Sequence, residues 1–114
     1  MEMDKRKVQR HDAGLLLEDL TKVLLILPGK QEIQSSLEDI SSQGLRISIP
    51  PSAVAISVPQ GNEIVEVVFQ AIQLRLTCKC IYSMHNQDGS LLIGFYVFDP
   101  DEQSKLREIL DRIP

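Results

Sequence analysis

The residues best suited to holding a ligand fall in two short clusters. One is Asp39-Ile40-Ser41-Ser42-Gln43-Gly44, a polar, turn-forming hexapeptide between two runs of alternating apolar residues. Asp and Ser side chains hydrogen-bond nearby backbone amides, and Gly adopts backbone angles that other residues avoid. The hexapeptide therefore reads as a tight surface loop, rigid without being buried. Rigid polar loops are where proteins grip ligands. The other cluster is Arg6-Lys7-Val8-Gln9-Arg10, two guanidinium groups four residues apart near the chain start. Paired guanidinium groups suit the recognition of anionic oxygens.

Catalytic groups are scarce. His11 and His85 are the only histidines, both in polar surroundings with no nucleophile nearby in sequence, and they read as solvated loop residues. Cys78, Cys80 and His85 do not make a metal site, because cysteines at i and i+2 of a strand point the same way, into the core. Their spacing also lacks the two-residue gap of zinc knuckles. The glycines lie scattered at turns and form no phosphate-cradling cluster. No catalytic residue, metal ligand or redox cofactor is expected.

A chain of 114 residues, 43% hydrophobic and 25% charged, suits one domain with its own core. The net charge of -4 argues against a general attraction to nucleic acid or anionic lipid. Locally the balance inverts, since Lys5, Arg6, Lys7 and Arg10 outnumber Glu2 and Asp4. Residues 1–12 read as a flexible basic arm and residues 13–114 as a single domain. The charged start runs into His11 and Asp12 instead of the apolar core of a secretory signal. The longest pure apolar run, Val23 to Leu27, falls far below the roughly 20 residues that span a bilayer. A soluble cytoplasmic protein is expected, and the two cysteines fit a reducing compartment.

The elements that must position the two clusters are mostly strands. Lys22 to Leu27 reads as a strand buried on both faces and ended by Pro28-Gly29. Ile33, Ser35 and Leu37 then alternate with Glu32, Gln34, Ser36 and Glu38, which gives a half-exposed strand leading into Asp39. Beyond Gly44 the period of two resumes, with Leu45, Ile47 and Ile49 inward and Arg46 and Ser48 outward, until Pro50-Pro51. Val54 to Val58 is a short apolar run, and Gly61-Asn62 marks a turn before Ile64 to Gln70. Leu74, Leu76, Cys78, Cys80 and Tyr82 share one face of the next strand. Asn86-Gln87-Asp88-Gly89 is a hairpin turn before Leu91 to Phe98. Short strands at such spacing mean a sandwich or a small barrel. Asp99-Pro100-Asp101-Glu102 is a helix start, followed by Leu106, Ile109, Leu110 and Ile113 at helical spacing. That predicts a helix over about 100–113 laid on the barrel.

Arg6-x-x-x-Arg10 followed by Asp39-x-Ser41-x-x-Gly44 resembles the paired signature of the PilZ family, bacterial receptors for cyclic di-GMP. Ile93-Gly94-Phe95-Tyr96-Val97-Phe98 also resembles that family's final strand, so the likeness covers nearly the whole chain. The resemblance implies a mainly β fold, a six-stranded antiparallel barrel with a C-terminal α-helix packed on it. It also implies a binding site formed by Arg6, Arg10, Asp39, Ser41 and Gly44. Arg6 and Arg10 would wrap over the ligand, meeting guanine O6 and N7, phosphate oxygens and the base planes. Asp39 would accept from guanine N1 and N2, Ser41 would add a neutral hydrogen bond, and Gly44 would let the backbone approach. The arm would relay the signal to a downstream protein by changing position. In familiar members the second Arg runs almost directly into the first barrel strand, whereas here residues 11–21 intervene. That insertion, with its Leu cluster, motivates an alternative: a PilZ-like adaptor without ligand, working in motility or polysaccharide export. A barrel for single-stranded nucleic acid fits less well, because aromatics make up only 4% of the chain and it is acidic.

Overall fold

The computed structural model describes residues 11–12, 21–54, 59 and 61–111. Among these described residues, seven strands and two α-helices follow in the order β1 (His11–Asp12), β2 (Lys22–Ile26), β3 (Glu32–Ile40), β4 (Gly44–Ile49), α1 (Pro51–Val54), β5 (Ile64–Phe69), β6 (Leu74–His85), β7 (Leu91–Val97) and α2 (Pro100–Asp111), with a 3-10 turn at Gln70–Ile72. All strand pairs are antiparallel, in the order β1-β3-β2-β5-β6-β7-β4, and an additional β3–β4 pairing closes β2 to β7 into a six-stranded barrel. Closure removes the open edges that a flat sheet of this size would present to other chains.

Alternation fixes which face of each strand turns inward. Along β3 the odd positions Ile33, Ser35 and Leu37 are buried and the intervening residues exposed, and β4 buries Leu45, Ile47 and Ile49. β2 is the least alternating strand, with Val23, Leu24 and Leu25 all buried, as its continuous apolar run predicts. The interior is a single cluster that includes Leu25, Ile47, Val67, Leu76, Ile93 and Leu106.

Two turns place their left-handed residue beside their glycine, and one places it at the glycine. The left-handed residue after β2 is Lys30 (φ 70), not Gly29, and before β5 it is Asn62 (φ 71), not Gly61. In the β6–β7 hairpin it is Gly89 (φ 90), where a side chain would be strained. The Asp88 carboxylate accepts hydrogen bonds there from the Ser90 amide and hydroxyl. Pro50-Pro51 does end β4, but the chain then makes the four-residue α1. The rest of the expected apolar run, residues 55–58, lies outside the described residues.

The β6 expectation is corrected at Tyr82. Leu76, Cys78 and Cys80 are buried as predicted, but the register against β7 shifts between Cys80 and Tyr82. One extra residue on a strand turns every later side chain over. Tyr82 therefore stands exposed on the outside instead of facing the core.

Cys78 and Cys80 are free and buried. Burial pushes both thiols up from their ordinary value, with the charge of Glu102 adding for Cys78 and that of Glu63 for Cys80. Because the thiolate is the reactive form, neither cysteine should react with Ellman's reagent at pH 8 in the native protein. Both should react once denaturant opens the barrel, and rapid native labelling would contradict this placement.

Helix α2 begins where predicted. Asp99 caps it, its carboxylate accepting from the Asp101 amide at 2.8 Å and its carbonyl from the Gln103 amide at 2.9 Å. The expected helix over 100–113 is described to Asp111, so Ile113 lies outside the described residues, while Leu106 and Leu110 are buried against the barrel. Glu102 reaches away from its own helix and accepts the Thr77 amide of β6 at 2.8 Å. The β6–β7 pairing begins only at Cys78–Val97, so this carboxylate takes up an amide that β7 does not. Glu102→Ala should cost about 1–2 kcal/mol in urea unfolding, whereas the exposed Glu108→Ala should stay within about 0.5 kcal/mol.

Candidate functional site

The hexapeptide 39–44 is tighter than its sequence suggests. Asp39 and Ile40 finish β3 and Gly44 opens β4, so only Ser41, Ser42 and Gln43 lie between the strands. The expectation of an exposed loop is also corrected, because Asp39 is 7% and Ser41 2% exposed. The cause is the closing pairing of β3 with β4, which draws Ile40 opposite Leu45 and Asp39 opposite Arg46.

Ser41 holds the turn together. Its hydroxyl accepts from the Gly44 amide at 3.1 Å and the Gln43 amide at 3.3 Å, while its own amide donates to the Gly44 carbonyl at 2.9 Å. A serine hydroxyl bonded to amides two and three residues on is a local turn clamp. Its polar capacity is thus committed mainly to the turn. Gly44 is a strand residue paired with Tyr96 of β7. Among the described residues Gly89 is the glycine with positive φ, so Gly44 does not supply the unusual backbone angle expected of it.

Asp39 carries the site's charge. The register shifts between Leu37 and Asp39, and the Asp39 carboxylate turns to Arg46, whose Nε donates to Oδ2 at 2.6 Å and whose Nη2 lies 2.5 Å from the same oxygen. The Arg46 guanidinium is held above its usual value chiefly by the hydrogen bond and charge of Asp39, with a smaller contribution from Tyr82, against an opposing cost of burial. The pair is lopsided in exposure, 41% for the Arg46 side chain and 10% for that of Asp39. Sequence reasoning placed Arg46 on the outer face but missed this partnership. A plain three-residue turn puts residue 45 opposite residue 39, and the register shift between Leu37 and Asp39 brings Arg46 there instead.

A row of cross-strand neighbours continues outward from this pair. Arg46 stands opposite Gly94 of β7, and Gly94 opposite Tyr82 of β6. A Cβ at Gly94 would lie 2.2 Å from Tyr82 Cε2, so the ring fills the space that glycine leaves. Tyr82 therefore lies across β7 toward Arg46, and neither Tyr82 nor Gly94 was singled out from sequence as part of the site.

Arg6 and Arg10 lie outside the described residues. The chain immediately after Arg10 does not: β1 pairs with β3, His11 opposite Ile40 and Asp12 opposite Asp39. The last two residues of the expected arm thus form a strand on the same flank of β3 as β2, beyond the Lys22–Ser36 pair that ends the β2 ladder. His85 ends β6 and is exposed.

A family model of the PilZ domain matches residues 4–113. The chain belongs to the PilZ domain family. Solved structures agree on the fold: YcgR of Escherichia coli in complex with c-di-GMP is 14% identical with a TM-score of 0.64, over 94% of this chain and 45% of that one. The Bacillus subtilis inhibitor of motility MotI/DgrA is 14% identical with a TM-score of 0.66, over 96% of this chain and 53% of that one. The isolated PilZ domain of Escherichia coli YcgR with c-di-GMP is 13% identical with a TM-score of 0.64, over 96% of this chain and 92% of that one. The chain thus spans about half the length of the first two and nearly all of the isolated PilZ domain. No curated protein matches it in sequence. The PilZ barrel closed by α2 is the architecture that the sequence resemblance implied, and no helix among the described residues is long and apolar enough to cross a membrane.

Proposed function

We propose that this PilZ domain is a receptor for cyclic di-GMP that binds the messenger between Arg6, Arg10 and the Asp39–Gly44 turn, with no catalysis of its own. The observation that carries the reading is the β1–β3 pairing. Adjacent Cα atoms are about 3.8 Å apart and paired antiparallel residues about 4.5–5.5 Å. Connectivity alone therefore holds the Arg10 Cα within about 10 Å of the Ile40 Cα, and Arg6 within about 14 Å of Arg10 along an extended chain. That bound supports a site in which the two guanidinium groups meet the phosphates and guanine O6 and N7, with Asp39 on the opposite guanine edge. Adenine lacks both the O6 acceptor and the N1–H donor, so the combination selects guanine. Ser41 serves such a site by shaping the turn.

Isothermal calorimetry of the full chain with cyclic di-GMP is the direct test. Saturable heat is expected, and its absence at micromolar protein with excess ligand would sink the reading. Binding that draws the arm onto the barrel changes the surface the arm presents, which is how the signal would reach a downstream protein in the cytoplasm.

A ligand-independent adaptor is the second reading. The exposed apolar side chains Ile81, Tyr82, Met84 and Tyr96 on the β6–β7 hairpin favour it, because grouped apolar exposure marks contact surfaces. A protein partner captured equally well with and without cyclic di-GMP would support the adaptor over the receptor.

A further inference from the structure

We infer that Arg46 is a positioning residue that sets guanine selectivity through Asp39, itself held in place by Tyr82 across Gly94. The inference rests on the reading of Asp39 as the guanine acceptor. Both Arg46 contacts fall on one oxygen of the Asp39 carboxylate, Oδ2, from Nε and Nη2. Two donors of one rigid fork converging on one oxygen pin that end of the carboxylate in place, which a flexible point charge would not do. Position matters because guanine N1 and N2 present two donors side by side, and a displaced carboxylate meets only one of them.

The support for Arg46 is equally specific. Outward-facing Arg46 has no side chain opposite it on β7, because Gly94 stands there. The Tyr82 ring occupies that gap and comes within interaction range of the guanidinium. Tyr82 is on the outside only because of the register shift after Cys80. Bulge, glycine, tyrosine, arginine and aspartate therefore form one row across β6, β7, β4 and β3. A binding group is precise only when the shell behind it is locked in the same way.

The test uses the full chain with Arg46→Lys, which keeps the charge and loses the fork, and Tyr82→Phe, which removes only a hydroxyl from an exposed ring. Melting temperature, affinity for cyclic di-GMP and affinity for cyclic di-AMP are measured for both variants and the parent. Arg46→Lys is expected to melt with the parent, bind cyclic di-GMP about tenfold more weakly and narrow the preference over cyclic di-AMP. Tyr82→Phe should move in the same direction by a smaller factor. Binding equal to the parent, a parallel fall for both nucleotides, or tighter binding by Arg46→Lys would each overturn the positioning role. The last result would make Arg46 a competitor of the ligand for Asp39. The Arg46 Nε–H signal in a ligand-free nitrogen-15 NMR spectrum should be protected from exchange in the parent and lose protection in Asp39→Asn. If that protection is present but the parent binds no cyclic di-GMP, the receptor reading fails. The pair is then merely structural, and the inference falls with it.

Discussion

Asp39→Ala is expected to weaken cyclic di-GMP binding by about 1.5–3 kcal/mol, roughly ten- to 150-fold, while leaving the barrel folded. The loss is that of a charged acceptor facing two guanine donors, and hydrogen bonds to charged groups lie in this range. The fold should survive because the group left behind is Arg46, whose side chain is 41% exposed and can turn to water. Arg6→Ala and Arg10→Ala should each lose a comparable amount through the other guanine edge or the phosphates. Calorimetry on the three variants checks the site assignment. Affinities matching the parent would show that the ligand, if bound, is held elsewhere. Circular dichroism on the same samples separates a lost contact from a lost fold. Asp39→Asn is a useful companion, since it keeps the shape of the side chain but replaces one acceptor oxygen with a donor.

Leu106→Ala should produce the largest loss of stability, about 2–5 kcal/mol by urea or thermal unfolding. Leu106 is fully buried between α2 and the barrel, so its removal forfeits the transfer free energy of the side chain and leaves a cavity. For a domain whose whole stability is on the order of 5–15 kcal/mol, that is a large share. The neighbouring Arg107, on the exposed face of the same helix, gives the control: Arg107→Ala should stay within about 0.5 kcal/mol. A small effect at Leu106 would mean that α2 is not seated on the core. The proposed cyclic di-GMP site uses Asp39 to Gly44 and not Leu106, so the part of the Leu106→Ala population that remains folded should bind with the parent affinity.

Much of the architecture was readable from residue pattern. The period of two in Ile33, Ser35, Leu37 and again in Leu45, Ile47, Ile49 predicts strands with one face inward, and β3 and β4 follow it position by position. Asp99 and Pro100 mark the start of α2 because capping is a local matter, decided by side chains within one turn of the amides they satisfy. Cys78 and Cys80 read as core residues for a similar reason, since alternation along one strand fixes their side. Where pattern failed, a bulge was responsible. The register shift at Cys80–Tyr82 adds a residue to one strand without leaving a mark in polarity, and it carried Tyr82 from the expected interior to the surface.

The site divides along the same line. Sequence alone proposed the acidic turn and the pair of arginines, because residue types at fixed spacing report which hydrogen-bonding groups a ligand would meet. It also established, through alternation, that Arg46 faces outward. Strand register decided the rest: that Asp39 is buried against Arg46, that Gly94 admits Tyr82, and that the strand following Arg10 lies beside Asp39. Pairings between strands far apart in the chain depend on register, and register is set by the whole closed sheet, not by any one segment.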